Sequence, residues 1–227
     1  MLQHKTITIF TKSKNNQLNN VHAFLYSKLV WEDCIVNLLR SHGKNVLIGS
    51  ESQDINGIDM LAESKQMPGM FYPLDVKLVV KAASPEITQK CKLCIAVNEY
   101  TVKTCTDAKS YNTFLVFVDE YFGKIFFMRK SDLAKCKYYN CYRGDMYAYE
   151  FLISEMLQYT HDIELTEHER NIVIEKRKKL NELWAGKGIS KIGFQYNYTH
   201  EKQLEILNKA IIDLGLDKTY NVHFNFI

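Results

Sequence analysis

Asp59, Asp75 and Lys77 are the residues of this chain whose types and spacing could carry chemistry. Asp75-Val76-Lys77 lies in the β-branched-rich stretch Tyr72–Val80. Strand alternation there puts Asp75 and Lys77 side by side on one face and turns Val76 to the other, core side. A carboxylate and an ammonium are costly to take out of water unless they serve a site. Asp59, in Gly57-Ile58-Asp59 on a neighbouring strand, brings a second carboxylate to the same face. Two carboxylates and the Val76 main-chain carbonyl make a hard, oxygen-only donor set, which suits Mg²⁺ or Mn²⁺ and leaves positions open for water and phosphate. Such a site would hydrolyse a phosphodiester, the ion acidifying water and neutralising phosphoryl charge while Lys77 orients the water or assists its deprotonation. The plainer alternative is an ion pair facing solvent at a strand edge.

The elements that must hold these residues can be followed along the chain. Residues Asn20 to Ser41 recur with the 3.6 period, through Ala23, Leu25, Tyr26, Leu29, Val30, Ile35, Leu38 and Leu39, and Gly43 supplies a stop. A strand is expected at Asn45–Ile48, a polar turn at Ser50–Gly57, a second strand at Ile58–Leu61, a turn at Pro68-Gly69 and a third strand at Tyr72–Val80. Beyond Ser84-Pro85 the pattern predicts a strand over Lys92–Val97, with Asn98 capping a short helix through Ala108. Thr113–Asp119 and Lys124–Arg129 flank a turn and read as a hairpin, and a polar, Tyr- and Cys-rich connection starts at Ser131.

The last third reads as more helical. Met146–Tyr159 and Thr166–Trp184 are predicted helices, the second opened by a capping-box pattern at Thr166–Glu169 and ended by Gly186 and Gly188. A strand at Lys191–Tyr196, a helix at His200–Leu214 and a strand at Tyr220–Phe226 complete the pattern. The expected fold class is α/β, a mixed central sheet flanked by helices over residues 1–144, with an α-rich extension at 145–227 that is either appended or part of the same domain. That extension is expected to contact DNA or to form a dimer surface.

Taken in order, the helix with Glu32, the strand with Asn56-Gly57-Ile58-Asp59, the strand with Asp75-Val76-Lys77 and the hairpin Thr113–Arg129 resemble the PD-(D/E)XK nuclease superfamily, the restriction-endonuclease-like fold. The resemblance covers residues 20–133, and its short motif takes much of its weight from the order of the elements. It implies that Asp59 and Asp75 are metal ligands, that Lys77 is the catalytic lysine and that Glu32 supports a metal-bound water. The position before Asp59, often Pro in that family, is Ile58 here. The implied activity is a Mg²⁺-dependent endonuclease, with Mn²⁺ able to substitute, acting on double-stranded DNA as a restriction, junction-resolving or phage-type enzyme. An RNA-cleaving nuclease of the same fold and a non-catalytic nucleic-acid-binding or assembly subunit are the alternatives. Cutting both strands at one place usually needs two active sites, so a homodimer is expected.

Other residues carry softer signals. Glu32 stands in Trp31-Glu32-Asp33, where a solvated helix face is the ordinary expectation, and Glu51 and Asp54 are loop acids that could add a ligand or simply be solvated. His42 suits the C-terminal end of a helix as a cation or polar cap. Lys176-Arg177-Lys178-Lys179 reads as a solvated helix face, whereas Lys77, Lys81, Lys90 and Lys92 gather after the proposed catalytic strand, where phosphate contacts need positive charge. Tyr138, Tyr139, Tyr142, Tyr147 and Tyr149 crowd one segment beside Lys137 and Arg143 and suit either packing or base stacking. Cys91 and Cys94 have zinc-ligand spacing that Cys105, Cys136 or Cys141 could complete, and small buried hydrophobes are the alternative.

Composition narrows the classes. With 227 residues, 46% of them hydrophobic, and only 3 Pro, the chain can bury a real core and is neither collagen-like nor disordered. Its 29 Lys and Arg against 26 Asp and Glu give a net charge of +3, which excludes a polycation that coats nucleic acid and leaves a site-focused phosphodiesterase open. The longest apolar run, Phe114–Val118, falls far short of the roughly 20 residues of a spanning helix, so no membrane segment is expected. The start, Met-Leu-Gln-His-Lys-Thr, lacks an apolar stretch before a small-residue cleavage site, and a cytoplasmic protein is the expectation.

Overall fold

The computed structural model of the protein describes residues 5–11, 18–50, 53, 57–80, 94–143, 146–182, 205, 208–209, 211–213, 215–216 and 220–226. In chain order the elements are β1 (Lys5–Thr11), α1 (Leu18–Ser41), β2 (Val46–Ile48), β3 (Met60–Glu63), β4 (Phe71–Val76) and β5 (Leu78–Val80). They continue with β6 (Cys94–Asn98), α2 (Glu99–Lys103), β7 (Phe114–Asp119), β8 (Lys124–Arg129), a 3₁₀ turn at Lys130–Lys135, β9 (Tyr138–Arg143) and β10 (Met146–Leu152). The last are α3 (Ile153–Met156), β11 (Thr160–Glu164), α4 (Glu167–Glu182) and β12 (Tyr220–Phe226).

Among the described residues the strands form three hydrogen-bonded sheets. The largest has six strands in the order β11-β8-β7-β4-β3-β2, antiparallel at every pair except β4 with β7, which run parallel. The second has four strands, β5-β6-β10-β9, all antiparallel, and β1 pairs in parallel with β12. Residues 49–59 and 64–70 connect the antiparallel strands of the β2-β3-β4 meander, and the longer crossover from β4 to β7 is what a parallel pair requires.

Alternation along the strands divides the core in two. Leu74, Val76, Val116 and Val118 face α1 and α4, packing with Ile35, Leu39, Val173 and Leu180. Leu115, Phe117, Phe126 and Met128 face the other way, against Val79, Ile95, Val97 and Phe151 of the four-stranded sheet. The layers are therefore helices, six-stranded sheet, four-stranded sheet.

α1 ends where its sequence says it should. Gly43 adopts φ +69°, and the Gly43 and Lys44 amides return to the Arg40 and Leu39 carbonyls, both at 2.9 Å. That pattern satisfies carbonyls that a helix end leaves open, in a conformation that costs glycine nothing. α4 begins with the expected reciprocal cap: the Glu169 amide donates to Thr166 Oγ1 at 3.3 Å, and the Thr166 amide donates to Glu169 Oε2 at 2.9 Å.

Several elements differ from the sequence reading. Met146–Tyr159 is not a helix: Met146–Leu152 is β10, followed by the single turn α3. Its Met, Ala, Glu and Leu content favours helix locally, but pairing with β6 on one side and β9 on the other overrides that preference. Tyr138–Arg143 and Thr160–Glu164, read as connections, are strands, and Lys5–Thr11 is a strand where no element was expected. The region after residue 144 thus contributes strands to both larger sheets as well as α4. Tyr72–Val80 is not one strand: β4 stops at Val76 and β5 starts at Leu78 in the other sheet. The expected strand at 191–196 and most of the expected helix at 200–214 lie outside the described residues.

Candidate functional site

Lys77 stands at the corner where the chain changes sheets. Its amide donates to Val116 O at 2.8 Å, the last bond to the six-stranded sheet, and the next residue begins β5. Asp75, two residues earlier, is paired in register with Leu115 on β7 and is only 2% exposed. Lys77 Nζ donates to Asp75 Oδ1 in a direct ion pair. The expected side-by-side arrangement is present, but as a buried pair and not as a solvent-facing one.

The second oxygen of Asp75, like Oδ2 of Asp119, is a buried carboxylate oxygen outside the hydrogen-bond network of the described residues. Among them no hydrogen-bond donor reaches Asp75 Oδ2. A Cβ placed on Gly57 would lie 3.7 Å from this Asp75 oxygen, so Gly57 backbone lines its surroundings, in a left-handed conformation at φ +73°. A buried carboxylate oxygen without a donor forfeits its hydration, a penalty of about 1–3 kcal/mol or more for a charged group.

Asp59 sits directly before β3 and is also 2% exposed. Its amide donates to Leu74 O at 2.9 Å, and its Oδ2 accepts the Val76 amide at 2.6 Å. The backbone on either side of Asp75 is thereby tied to Asp59. Gly49 holds Asp59 from the opposite side: its amide donates to Asp59 O at 2.8 Å. A Cβ at Gly49 would fall 2.6 Å from Ile58 O and 2.8 Å from Asp59 O, inside contact distance of two backbone atoms. Sequence reasoning passed over Gly49, which only a folded chain shows to be in close approach.

Glu32 is buried at 1% exposure, not on a solvated face. It shares the stripe of Ile35 and Leu39, at i+3 and i+7, which faces the six-stranded sheet. α1 returns through a tight turn into β2, and β2 and β4 run the same way because β3 opposes both. The N-terminal half of α1 therefore lies toward the end of β4 that carries Asp75 and Lys77. Glu32 comes from the helix layer, while Asp75 shares the side of Leu115, toward the four-stranded sheet.

α4 is clamped to this end of the molecule. Lys176 Nζ lies 2.9 Å from Asp33 Oδ2. Arg177 pairs with Glu120 at 2.6 Å, donates from Nη1 to Val79 O at 3.0 Å and stacks its guanidinium 4.7 Å from the centre of the Trp31 ring. Half of the basic run expected to be solvated is thus structural; Lys178 and Lys179 are exposed. His42 Nε2 lies 3.1 Å from Glu169 Oε2, so it meets a carboxylate beyond the helix end.

One further lysine belongs here. Lys130, directly after β8, is 4% exposed, and burial lowers its pKa; attraction from Asp75 opposes that shift and repulsion from Lys77 adds to it. Lys130 directly follows the predicted strand Lys124–Arg129, and no local pattern in the sequence marks it as buried.

Asp59 and Asp75 offer only oxygen donors, and among the described residues no hydrogen-bond donor reaches Oδ2 of Asp75. Among the described residues no group of three His, Cys, Asp or Glu side chains is close enough to share a metal ion. Cys105 and Cys136 are buried thiols, the latter pushed up to about 11 chiefly by burial, as packing residues are. Cys91, Glu51, Asp54, Lys81, Lys90 and Lys92 lie outside the described residues. Tyr138 and Tyr149 pack edge to face, with ring centres 4.7 Å apart. Among the described residues no helix is long and apolar enough to cross a membrane. Compared with protein-family models, with curated proteins and with solved structures, the chain matches none.

Proposed function

We propose that the protein is a metal-dependent endonuclease of restriction-endonuclease-like fold that hydrolyses phosphodiester bonds in DNA. The observation that carries this reading is Asp75: a buried carboxylate with Oδ1 held by Lys77 and with Oδ2 reached by no donor among the described residues. A protein gains nothing in stability from that arrangement, and a cation is the partner that would complete it. The order α1, β2-β3-β4 meander, crossover, parallel β7 supports the same reading, because it brings Asp59, Asp75 and Lys77 together at one corner of the sheet.

Asp59 and Asp75, with the Val76 carbonyl, would hold Mg²⁺ or Mn²⁺. When bound, such an ion supplies a Lewis acid that neutralises charge growing on the phosphoryl oxygens and makes water a stronger acid. Lys77 keeps Asp75 oriented through Oδ1 and offers its remaining N–H donors to a phosphate oxygen or to the attacking water. Asp59, tied to the Val76 amide, fixes the backbone between Asp75 and Lys77. Glu32 is the further carboxylate on the helix side of this end.

The test incubates supercoiled plasmid, linear duplex, single-stranded DNA and RNA with the protein in Mg²⁺, Mn²⁺ or EDTA. Cleavage of duplex DNA only with metal, lost in Asp75→Asn and Lys77→Met variants that stay folded, is the expected result. Cleavage of RNA alone moves the substrate to the other nucleic acid. Equal cleavage by the variants, or none by the wild type, overturns the assignment.

A further inference from the structure

We propose that the turn joining β3 to β4 is an apolar wedge that enters the minor groove of a DNA duplex and unstacks a base step, with Lys44 and Lys65 on nearby phosphates. This rests on the nuclease reading for its partner and adds a substrate class, a duplex that kinks readily, but it uses none of the residues of that site. The four-stranded sheet covers only part of the six-stranded one. Among the described residues the core between them takes Leu115, Phe117, Phe126 and Met128 from β7 and β8 and nothing from β2, β3 or β4. Beyond that cover, Leu47, Leu61 and Pro73 stand in register across β2, β3 and β4. Leu47 is 38% exposed, and Leu61, Pro73 and Phe71 are partly exposed. The β3-β4 turn at this end of the sheet carries Met67 and Met70, 45% and 46% exposed.

The turn is built without the two methionine side chains. The Ser64 amide donates to Met70 O at 2.8 Å, the Met70 amide donates to Met67 O at 3.0 Å, and Ser64 Oγ accepts the Gln66 and Met67 amides, both at 3.2 Å. Glu63 closes it from the strand: Oε1 accepts the Gly69 amide at 2.6 Å, and Oε2 accepts Asn45 Nδ2 at 2.9 Å. Gly69, at φ +85°, makes the reversal. Met67 and Met70 thus present apolar area on a fixed tip. Methionine is unbranched and polarisable and adapts to irregular apolar surfaces, and Met, Leu and Pro are among the residues that minor-groove proteins insert between base steps. The charge beside the tip matches that partner. Lys65 is in the turn, and Lys44 precedes the Asn45 that is bonded to Glu63. Among the described residues neither ammonium has an ion-pair partner. Burial, and then repulsion from Lys65, lower the Lys44 pKa, so the two cations stand near each other. A polyanion relieves that repulsion, whereas a two-fold contact with a second copy would set like charges together.

A duplex with 2-aminopurine beside a central TA step, which unstacks easily, reads the wedge in EDTA without needing cleavage. Wild type is expected to raise the 2-aminopurine fluorescence. The Met67→Ala, Met70→Ala double variant should bind the duplex but lose that rise, and Met67→Leu, Met70→Leu should keep it. Lys44→Gln and Lys65→Gln should each flatten the plot of log Kd against log salt by about 0.9, the share of one phosphate. Lys103→Gln, an exposed lysine of α2, should leave the slope unchanged. A rise that persists in the double alanine variant overturns the proposal, and so do unchanged slopes in both lysine variants. A wild-type dimer in sedimentation that the double alanine variant breaks also overturns it, since the face would then join two copies. If the duplex is bound and unstacked but never cut in Mg²⁺ or Mn²⁺, the nuclease reading fails and the wedge stands. If the duplex is cut with metal but never unstacked, the wedge falls and the nuclease reading stands. No binding of the duplex even at low salt overturns both.

Discussion

Lys77 holds one oxygen of Asp75, and the other, Oδ2, is buried beside Gly57, with no hydrogen-bond donor reaching it among the described residues. Both members of this pair are largely out of water, so neither is cheap to lose alone. Lys77→Met should destabilise the protein by about 3–5 kcal/mol, because a buried carboxylate is left without its cation. Combining it with Asp75→Asn should recover part of that loss, with a coupling of up to about 3 kcal/mol in a double-mutant cycle of urea midpoints. Additive losses would mean that the pair is not a unit.

A divalent ion that occupies Asp75 Oδ2 must stabilise the folded state by mass action. Mn²⁺ at about 100 times its Kd should add about 2.7 kcal/mol to the unfolding free energy. The matching rise in thermal midpoint should appear in wild type and vanish in Asp75→Asn. A rise of equal size in that variant would place the ion elsewhere.

Gly49→Ala tests how Asp59 is held. The added methyl would meet Ile58 O and Asp59 O at less than 3 Å, and neither is a side chain that can swing away. A loss of about 1–3 kcal/mol is expected, read as a lower urea midpoint, and under the proposed nuclease function cleavage should fall too, because Asp59 and its bond to the Val76 amide must shift. Gly43→Ala provides the contrast: among the described residues nothing lies within 4 Å of the added Cβ, so backbone strain at φ +69° is what the substitution adds.

What the sequence disclosed was local, and what it hid was relational. The α1 stop at Gly43, the Thr166–Glu169 cap and the shared face of Asp75 and Lys77 follow from short-range geometry, and all are present. β10 was hidden because its composition suits a helix and only its two neighbours make it a strand. The corner at Lys77 was hidden because Leu78-Val79-Val80 continues the apolar pattern while changing partners from β7 to β6. Burial of Glu32 and Arg177 was hidden for a different reason. Each charge is admitted to the interior by elements far away in sequence, and a single helix pattern cannot show that.

Arg177 illustrates that last point and yields a prediction. It joins α4 to Glu120 at the end of the β7-β8 hairpin, to the Val79 carbonyl and to Trp31 of α1. Arg177→Ala removes the cation from a buried glutamate and the stacking partner from an indole, and about 3–5 kcal/mol should be lost. Arg177→Lys should not restore the wild-type urea midpoint, because an ammonium lacks the planar fork that pairs, donates and stacks at once. Equal stability of the lysine variant would reduce the contact to simple charge.

Glu169 gives the fold a defined acid sensitivity. Burial pushes its carboxyl up, but the Ser41 hydroxyl at 2.6 Å, the Thr166 amide and hydroxyl, and His42 outweigh burial and bring it down to about 2. A carboxyl that is more acidic folded than unfolded contributes stability in full above its ordinary range near 4.5, and that contribution drains away as pH falls toward about 2. The side chain is 11% exposed, so solvent screening is modest, and about 1–3 kcal/mol is the expected scale for hydrogen bonds to a charged group. Glu169→Gln should therefore lower the urea midpoint at neutral pH, and the gap between variant and wild type should close between about pH 4.5 and 2. A gap that stays constant across that window would assign the stabilisation to packing of α4 against α1 and not to the charge.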